Sequence, residues 1–356
     1  MRTKLVRSSL RGLSLVQVRH VTPVGFDLAR GGVARVYREL ERDFGVLAPP
    51  IALHSPAPEV LAAGWLMLRE TLIVPSGASR AAKEAVASAV SAANTCPFCV
   101  RMHSAMLHSL VRGRDAAAIE EGRLDDVRDG AVRAVAGWSA RSAVRDTARG
   151  NPQPFPADQL PELLGVAVIL QYLNRMVNVF LGGVPLPSGA PESSLRPVLR
   201  VLIWLLRSAA RSEPRAGTSL DLLPAAPLPG DLAWAEGDRT IATAFARAAA
   251  AVERAGERSV PEGVRALLDA RLTEWDGRPP GISRGWVEEA VAPLPARQRP
   301  AGRLALLTAL ASYQVDDATV AEARALLPDD GALVELTAWA SLSAARRIGA
   351  WTLEGA

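Results

Sequence analysis

Ala89-Val-Ser-Ala-Ala-Asn-Thr-Cys-Pro-Phe-Cys-Val-Arg-Met-His103 holds both cysteines of a 356-residue chain, Cys96 and Cys99. Upstream of the pair, Ser79–Ala93 is nearly all Ala, Val and Ser, a helical pattern whose small side chains let a neighbouring helix approach closely. Downstream, Pro97–Val111 predicts a second helix. Pro97 suits its first turn, where a missing N–H would be unpaired anyway. The chain therefore reverses near Asn94-Thr95, and the thiols open a helix packed antiparallel to its predecessor.

That placement has chemical content. Cys96 and Cys99 are one turn apart, so their side chains are neighbours and a disulfide is within reach. Unpaired amides and the positive end of the helix dipole favour a thiolate, the form that attacks peroxides and disulfides. His103, four residues past Cys99, lies on the same face. Glu84 is about 16 Å before the reversal and His103 about 12 Å after it, at about 1.5 Å per residue. The two should sit at similar depth on facing helices, with the carboxylate orienting the imidazole. The expected order is Glu84, His103, Cys99, Cys96, running outward to solvent. Cys99, nearer the base, is expected to ionise first and attack, with Cys96 resolving.

Working outward, helical periodicity dominates. Further helices are predicted at Gly31–Phe44, Pro58–Val74, Asp125–Ala148, Ala157–Leu181 and Leu195–Ser212. Glu213–Gly230, rich in Pro, Gly, Ser and Ala, is the candidate linker. Helices resume at about Asp238–Gly256, Pro261–Glu274, Arg284–Val291, Pro300–Tyr313, Ala318–Leu326 and Gly331–Trp351. Arg299–Tyr313 can be laid over Arg80–Asn94. In that register Arg303 falls at Glu84, Val315 and Ala318 at the cysteines, and Glu322 at His103. The division expected is a basic tail (1–24), a domain with the redox site (25–212), a linker (213–230) and a degenerate helical lobe (231–356).

Composition narrows the class. Hydrophobic residues make up 49% and charged residues 22%, enough for a large core. The net charge is +4, with Arg interspersed among Asp and Glu, so no nucleic-acid partner is expected. The longest apolar runs, Gly165–Leu170 and Val201–Leu206, read as buried helix segments, and no membrane association is expected. The N-terminus (Arg2, Lys4, Arg7, Arg11, Arg19, His20) has no acidic residue before Asp27 and reads as a flexible basic tail. No secretory segment of adequate length is visible, so the expected location is cytoplasmic, where a cycling dithiol fits better than a structural disulfide. No phosphate-binding glycine loop or dinucleotide fingerprint occurs, so no bound nucleotide is expected.

The spacing Glu84-x11-Cys96-x2-Cys99-x3-His103 resembles the signature of the alkylhydroperoxidase D-like proteins of the carboxymuconolactone decarboxylase superfamily. The likeness is sharp over about Leu61–Leu110 and looser to Leu181, where Tyr172-Leu-Asn-Arg175 resembles the family's late helix. The resemblance implies an all-α fold that assembles into homo-oligomers, and a peroxidase cycle between dithiol and disulfide without metal or organic cofactor, with an organic hydroperoxide or hydrogen peroxide as the expected substrate. Glu84 and His103 would form the proton relay, and a thiol or lipoyl-type partner would return the electrons. A dimer or trimer is expected. The lactone decarboxylases of the superfamily lack the cysteine pair. One departure is Phe98, where peroxidase members can carry a histidine.

Two other readings of the motif are a structural zinc site and a non-catalytic helical interaction protein with inert cysteines. Elsewhere, His54 is read as helping to cap the helix that begins near Pro58, with the thiol pocket as its alternative. His108 is read as a surface residue. Trp65, Trp138, Trp204, Trp234 and Trp339 are read as core anchors. Asn174 and Arg175 are read as facing a subunit interface, or else Glu84.

Overall fold

The computed structural model describes residues 10–111, 115–182, 204–205 and 213–354. Among these the chain is all-α, and its one β-type pairing is an isolated bridge between Val18 and Leu181. The first half comprises α1 (10–16), α2 (Gly31–Glu39), α3 (Pro49–Ala52), α4 (Pro58–Leu68), α5 (Arg80–Ala93) and α6 (Pro97–Leu110). It continues with α7 (Asp115–Glu120), α8 (Gly130–Arg141), α9 (Arg145–Ala148) and α10 (Leu160–Phe180). The second half holds α11 (Arg239–Ser259), α12 (Glu262–Glu274), α13 (Gly285–Val291), α14 (Arg299–Ala311), α15 (Asp317–Arg324) and α16 (Asp330–Ala350).

Short polar side chains set several helix starts. Ser79 accepts from the Ala82 amide at 3.1 Å, and Asp129, Asp238, Asp316 and Asp329 do the same for α8, α11, α15 and α16. Each such cap is worth about 1 kcal/mol. Asp129 also explains a departure from the sequence reading. The helix expected over Asp125–Ala148 begins only at Gly130, because Asp129 caps there, and it breaks after Arg141, with α9 following as a separate turn. The helix expected at Leu195–Ser212 lies almost wholly outside the described residues; Trp204 within it is 60% exposed, so it is no core anchor here. Trp65, Trp138, Trp234 and Trp339 are buried.

The central element is α10, buried along nearly its whole length. By length and composition alone, Ala157–Phe180 could cross a membrane, but 94% of its apolar window is buried inside the protein. It packs against α4 and α5 on one side and α16 on the other. Gly165 permits the closest approach: a Cβ there would meet Thr71 Cγ2 at 2.5 Å. Buried aliphatic residues from both halves join into one core, in which Trp234 packs edge-on against Phe245 at 4.9 Å.

Buried charges lock the connection between the halves. The helices ending in Glu39 and Leu68 run on into wide turns, Leu40–Phe44 and Arg69–Ile73. From these turns Arg69 reaches Asp43 at 2.9 Å and Glu70 at 2.5 Å. The segment read as a linker is fastened to this cluster. Arg69 donates to the Arg215 carbonyl at 3.0 Å, Gly217 N–H donates to Glu70 at 3.0 Å, and the Ser219 hydroxyl donates to Glu39 at 2.7 Å. The N-terminal stretch is also anchored. Arg11 pairs with Glu41 at 2.6 Å and covers the Phe26 ring, and Thr22 N–H donates to Asp330 at 2.7 Å. The flexible tail expected over 1–24 therefore does not extend to residues 10–24, because these residues find partners on both halves.

Candidate active site

The site grows from the reversal between α5 and α6. Asn94 ends α5, and Thr95 then takes a left-handed conformation, φ +50°. For a β-branched residue this is strained, at about 1–3 kcal/mol, a cost that recurs at functional sites. The turn is closed by the Cys96 amide donating to the Ser91 carbonyl at 3.1 Å. Cys96 becomes the residue just before α6, Pro97 takes its first turn, and Cys99 follows inside it. Both cysteines are free thiols.

The two helices bring Glu84 and His103 together. His103 Nδ1 lies 2.7 Å from Glu84 Oε2. The other carboxylate oxygen, Oε1, accepts from Arg80 Nε at 2.8 Å. Burial works to push the Glu84 carboxyl up, but Arg80 and His103 outweigh it and hold it below the usual carboxylate range. An ionised Glu84 can only accept, so a neutral His103 carries its proton on Nδ1 and leaves Nε2 as an acceptor. One turn along, the Ser88 and Ser104 hydroxyls meet at 3.0 Å, a small polar contact that keeps the helices close.

The depth order differs from expectation. Cys96 and Cys99 are 1% and 3% exposed, Glu84 is 1% exposed, and the His103 side chain is 15% exposed. The imidazole, not Cys96, is the member nearest solvent, because Cys96 is tucked under the reversal instead of standing at its rim.

The acidity of the thiols is also reversed. The Cys99 thiol donating to the Cys96 sulfur outweighs burial, with Asn174 and Arg101 adding to it, and Cys96 falls below the ordinary thiol value. Burial, then Cys96 beside it, push Cys99 well above that value. Sequence distance to the base favours Cys99 as the first to ionise, whereas the hydrogen bond between the two thiols favours Cys96.

Behind the sulfurs lies an amide network. Asn174, fully buried on α10, accepts from Asn94 at 3.0 Å and donates to the Ser91 hydroxyl at 3.1 Å. Asn178, one turn on, donates to the Asn94 carbonyl at 3.2 Å and to the Ser312 hydroxyl at 3.0 Å. Asn174 therefore faces the thiol turn, neither Glu84 nor a subunit surface. Arg175 is buried as well, donating to the Ala309 carbonyl at 2.8 Å and to Gln171, so the interface it serves is between the two halves of the chain. His54 neither caps α4 nor lines the thiols: its Nε2 meets the Tyr172 hydroxyl at 2.8 Å in the core, and burial lowers it to about 4. His108 is exposed.

Arg80 and Asn178 were missed in the sequence. Arg80 stands four residues before Glu84, a spacing that pairs side chains on a helix, and this was the available signal. Asn178 had none. Of the residues in the zinc reading, Glu84 is engaged by Arg80 and His103, and no group of three His, Cys, Asp or Glu able to hold a metal gathers among the described residues.

In the second half, the register that overlays the thiol hairpin falls on a helix, a loop and a shorter helix. Helix α14, its loop and α15 follow the order of α5, its loop and α6. Arg303 Nη1 meets Glu322 Oε2 at 2.6 Å, with the same 19-residue separation that joins Glu84 to His103. Val315 and Ala318 stand where the register puts the thiols.

Residues 58–141, which span α4 to α8 and all four candidate residues, match the carboxymuconolactone decarboxylase family. Over 334 residues, 94% of this chain and 94% of the relative, the sequence is 41% identical to the Alkyl hydroperoxide reductase Rv2159c of Mycobacterium tuberculosis (strain ATCC 25618 / H37Rv).

Proposed function

This chain belongs to the carboxymuconolactone decarboxylase family, and from that premise we propose that it is a thiol-dependent peroxidase acting through Cys96, Cys99, His103 and Glu84. The observation that carries the reading is the 2.7 Å contact between His103 Nδ1 and the buried Glu84, on the helix that opens with two free thiols. An anionic Glu84 fixes the ring so that Nε2 can take the proton the dithiol releases. The relative's name, an alkyl hydroperoxide reductase, supports organic hydroperoxides as the substrate class.

In the cycle, the Cys96 thiolate attacks the distal oxygen of ROOH. The O–O bond breaks, the leaving alkoxide takes a proton as ROH, and Cys96 becomes a sulfenic acid. The Cys99 thiol then attacks that sulfur, water leaves, and an intramolecular disulfide remains. A dithiol reductant, lipoyl-type or similar, returns two electrons and two protons by thiol–disulfide exchange. We place this activity in a reducing cytoplasm and in a homo-oligomer.

The test is peroxide consumption with dihydrolipoamide, together with sulfenic-acid trapping and peptide mapping. Cys96→Ser should abolish both turnover and trapping. Cys99→Ser should abolish turnover yet leave a trappable sulfenic acid on Cys96. Label on Cys99 in the Cys96→Ser protein would reverse the thiol assignment, and full activity in both variants would remove the enzyme class.

A further inference from the structure

We propose that Arg80 is a positioning residue of this thiol site, holding Glu84 as an anion so that His103 keeps its proton on Nδ1 and offers Nε2 to the dithiol. The proposal rests on the peroxidase reading and adds to it a residue outside the four-residue motif.

The geometry is direct. Arg80 Nε and Nη2 both lie 2.8 Å from Glu84 Oε1, leaving Oε2 for the imidazole. The Glu84 side chain is 1% exposed and the Arg80 side chain 21%, so the guanidinium bridges the buried carboxylate to the surface. A buried carboxylate facing only an imidazole would tend to share its proton with the ring, because burial disfavours the charged form. A permanently charged guanidinium on the second oxygen removes that option, whatever charge the ring carries.

The other charges around α5 are committed elsewhere. Asp115 on α7 accepts from the amides of Arg128 and Asp129. On α8, Arg133 donates to the Val127 carbonyl and Arg141 to Asn151. Glu162 on α10 takes Lys83. From α6 only His103 faces the carboxylate, and the charges acting on Glu84 are Arg80 and His103.

The position also runs against local preference. Arg80 is the first residue of α5, whose first turn holds no acidic residue. Helix N-termini disfavour cations, since the dipole is positive there. A basic residue held at this end against the dipole has its compensation in the Glu84 contact.

The experiment is the pH dependence of thiol alkylation by iodoacetamide in the full-length reduced protein, without peroxide, alongside peroxide turnover and thermal melting. Wild type, Arg80→Met, Arg80→Lys and His103→Gln are compared. Arg80→Met should move the acid limb of the alkylation profile up by about one pH unit or more. Arg80→Lys, which keeps the charge, should restore most of that shift. If Arg80→Met fails to fold, Arg80→Gln takes its place. A lowered melting temperature with a superimposable pH profile would overturn the proposal and leave Arg80 a helix-stabilising residue. The parent reading fails separately: a wild type that consumes no peroxide removes the peroxidase, while the alkylation profile still judges Arg80.

Discussion

Glu84→Gln should cost nearly as much activity as His103→Gln, although it is almost isosteric. In the native site Glu84 accepts on both oxygens, from Arg80 at 2.8 Å and from His103 at 2.7 Å. A glutamine has one acceptor and one donor end. Arg80 can only donate, so it takes the amide carbonyl, and the amide NH2 is left facing His103 Nδ1. That nitrogen must then accept, which moves the ring proton to Nε2. The base is present but protonated on the nitrogen meant to receive the thiol proton. General-base assistance is worth about 10²–10⁴ in rate, so peroxide turnover should fall by about 100-fold or more, at least about 2.7 kcal/mol of barrier. The assay is stopped-flow oxidation of the reduced protein by a hydroperoxide under single-turnover conditions. Because both substitutions disable one relay, the Glu84→Gln/His103→Gln double variant should be no slower than His103→Gln alone, within about threefold. A Glu84→Gln protein within threefold of wild type, or a double variant as slow as the product of the two losses, would refute the reasoning.

Three further outcomes follow from the packing and the buried polar groups. Gly165→Ala forces a methyl into Thr71 and should lower stability by about 1–3 kcal/mol in thermal or urea unfolding, with thiol chemistry intact. Ser219→Ala removes a donor from buried Glu39 and should cost about 1–3 kcal/mol, read as loosening of the 213–223 segment in limited proteolysis. The folded His54 takes up a proton only near pH 4, whereas the unfolded imidazole does so near 6.5. Stability is therefore fully present above 6.5 and falls as pH drops through that window, by about 3 kcal/mol at its lower end; His54→Gln should flatten this dependence in unfolding measured at pH 7 and 4.5.

The thiol hairpin was legible because each of its signals is local. The small-residue run, the reversal, Pro97 and the i, i+4 step to His103 all act within one pair of helices, so sequence spacing translates into distance. What escaped reading depends on groups far apart in the chain. Spacing along the helices suggested that Cys96 would lie outermost, but packing buries both sulfurs and leaves the His103 ring nearest solvent. The composition of 213–230 looked like a free connection; buried Arg69, Glu70 and Glu39, more than 140 residues upstream, hold it. Asp129 sits within an unbroken helical pattern, and only its capping geometry shows that the helix begins after it. His54 lies next to a proline-led helix start, yet its partner is Tyr172, 118 residues away.

The Arg303–Glu322 pair bears on electron storage. The sequence holds one dithiol, so in the proposed cycle a fully reduced molecule hands over two electrons, where two equipped hairpins would hand over four. Arg303→Glu, Val315→Cys, Ala318→Cys and Glu322→His would set the same four residue types at the same sequence intervals in the second half, but on a surface where the Glu322 side chain is 56% exposed, against 1% for Glu84.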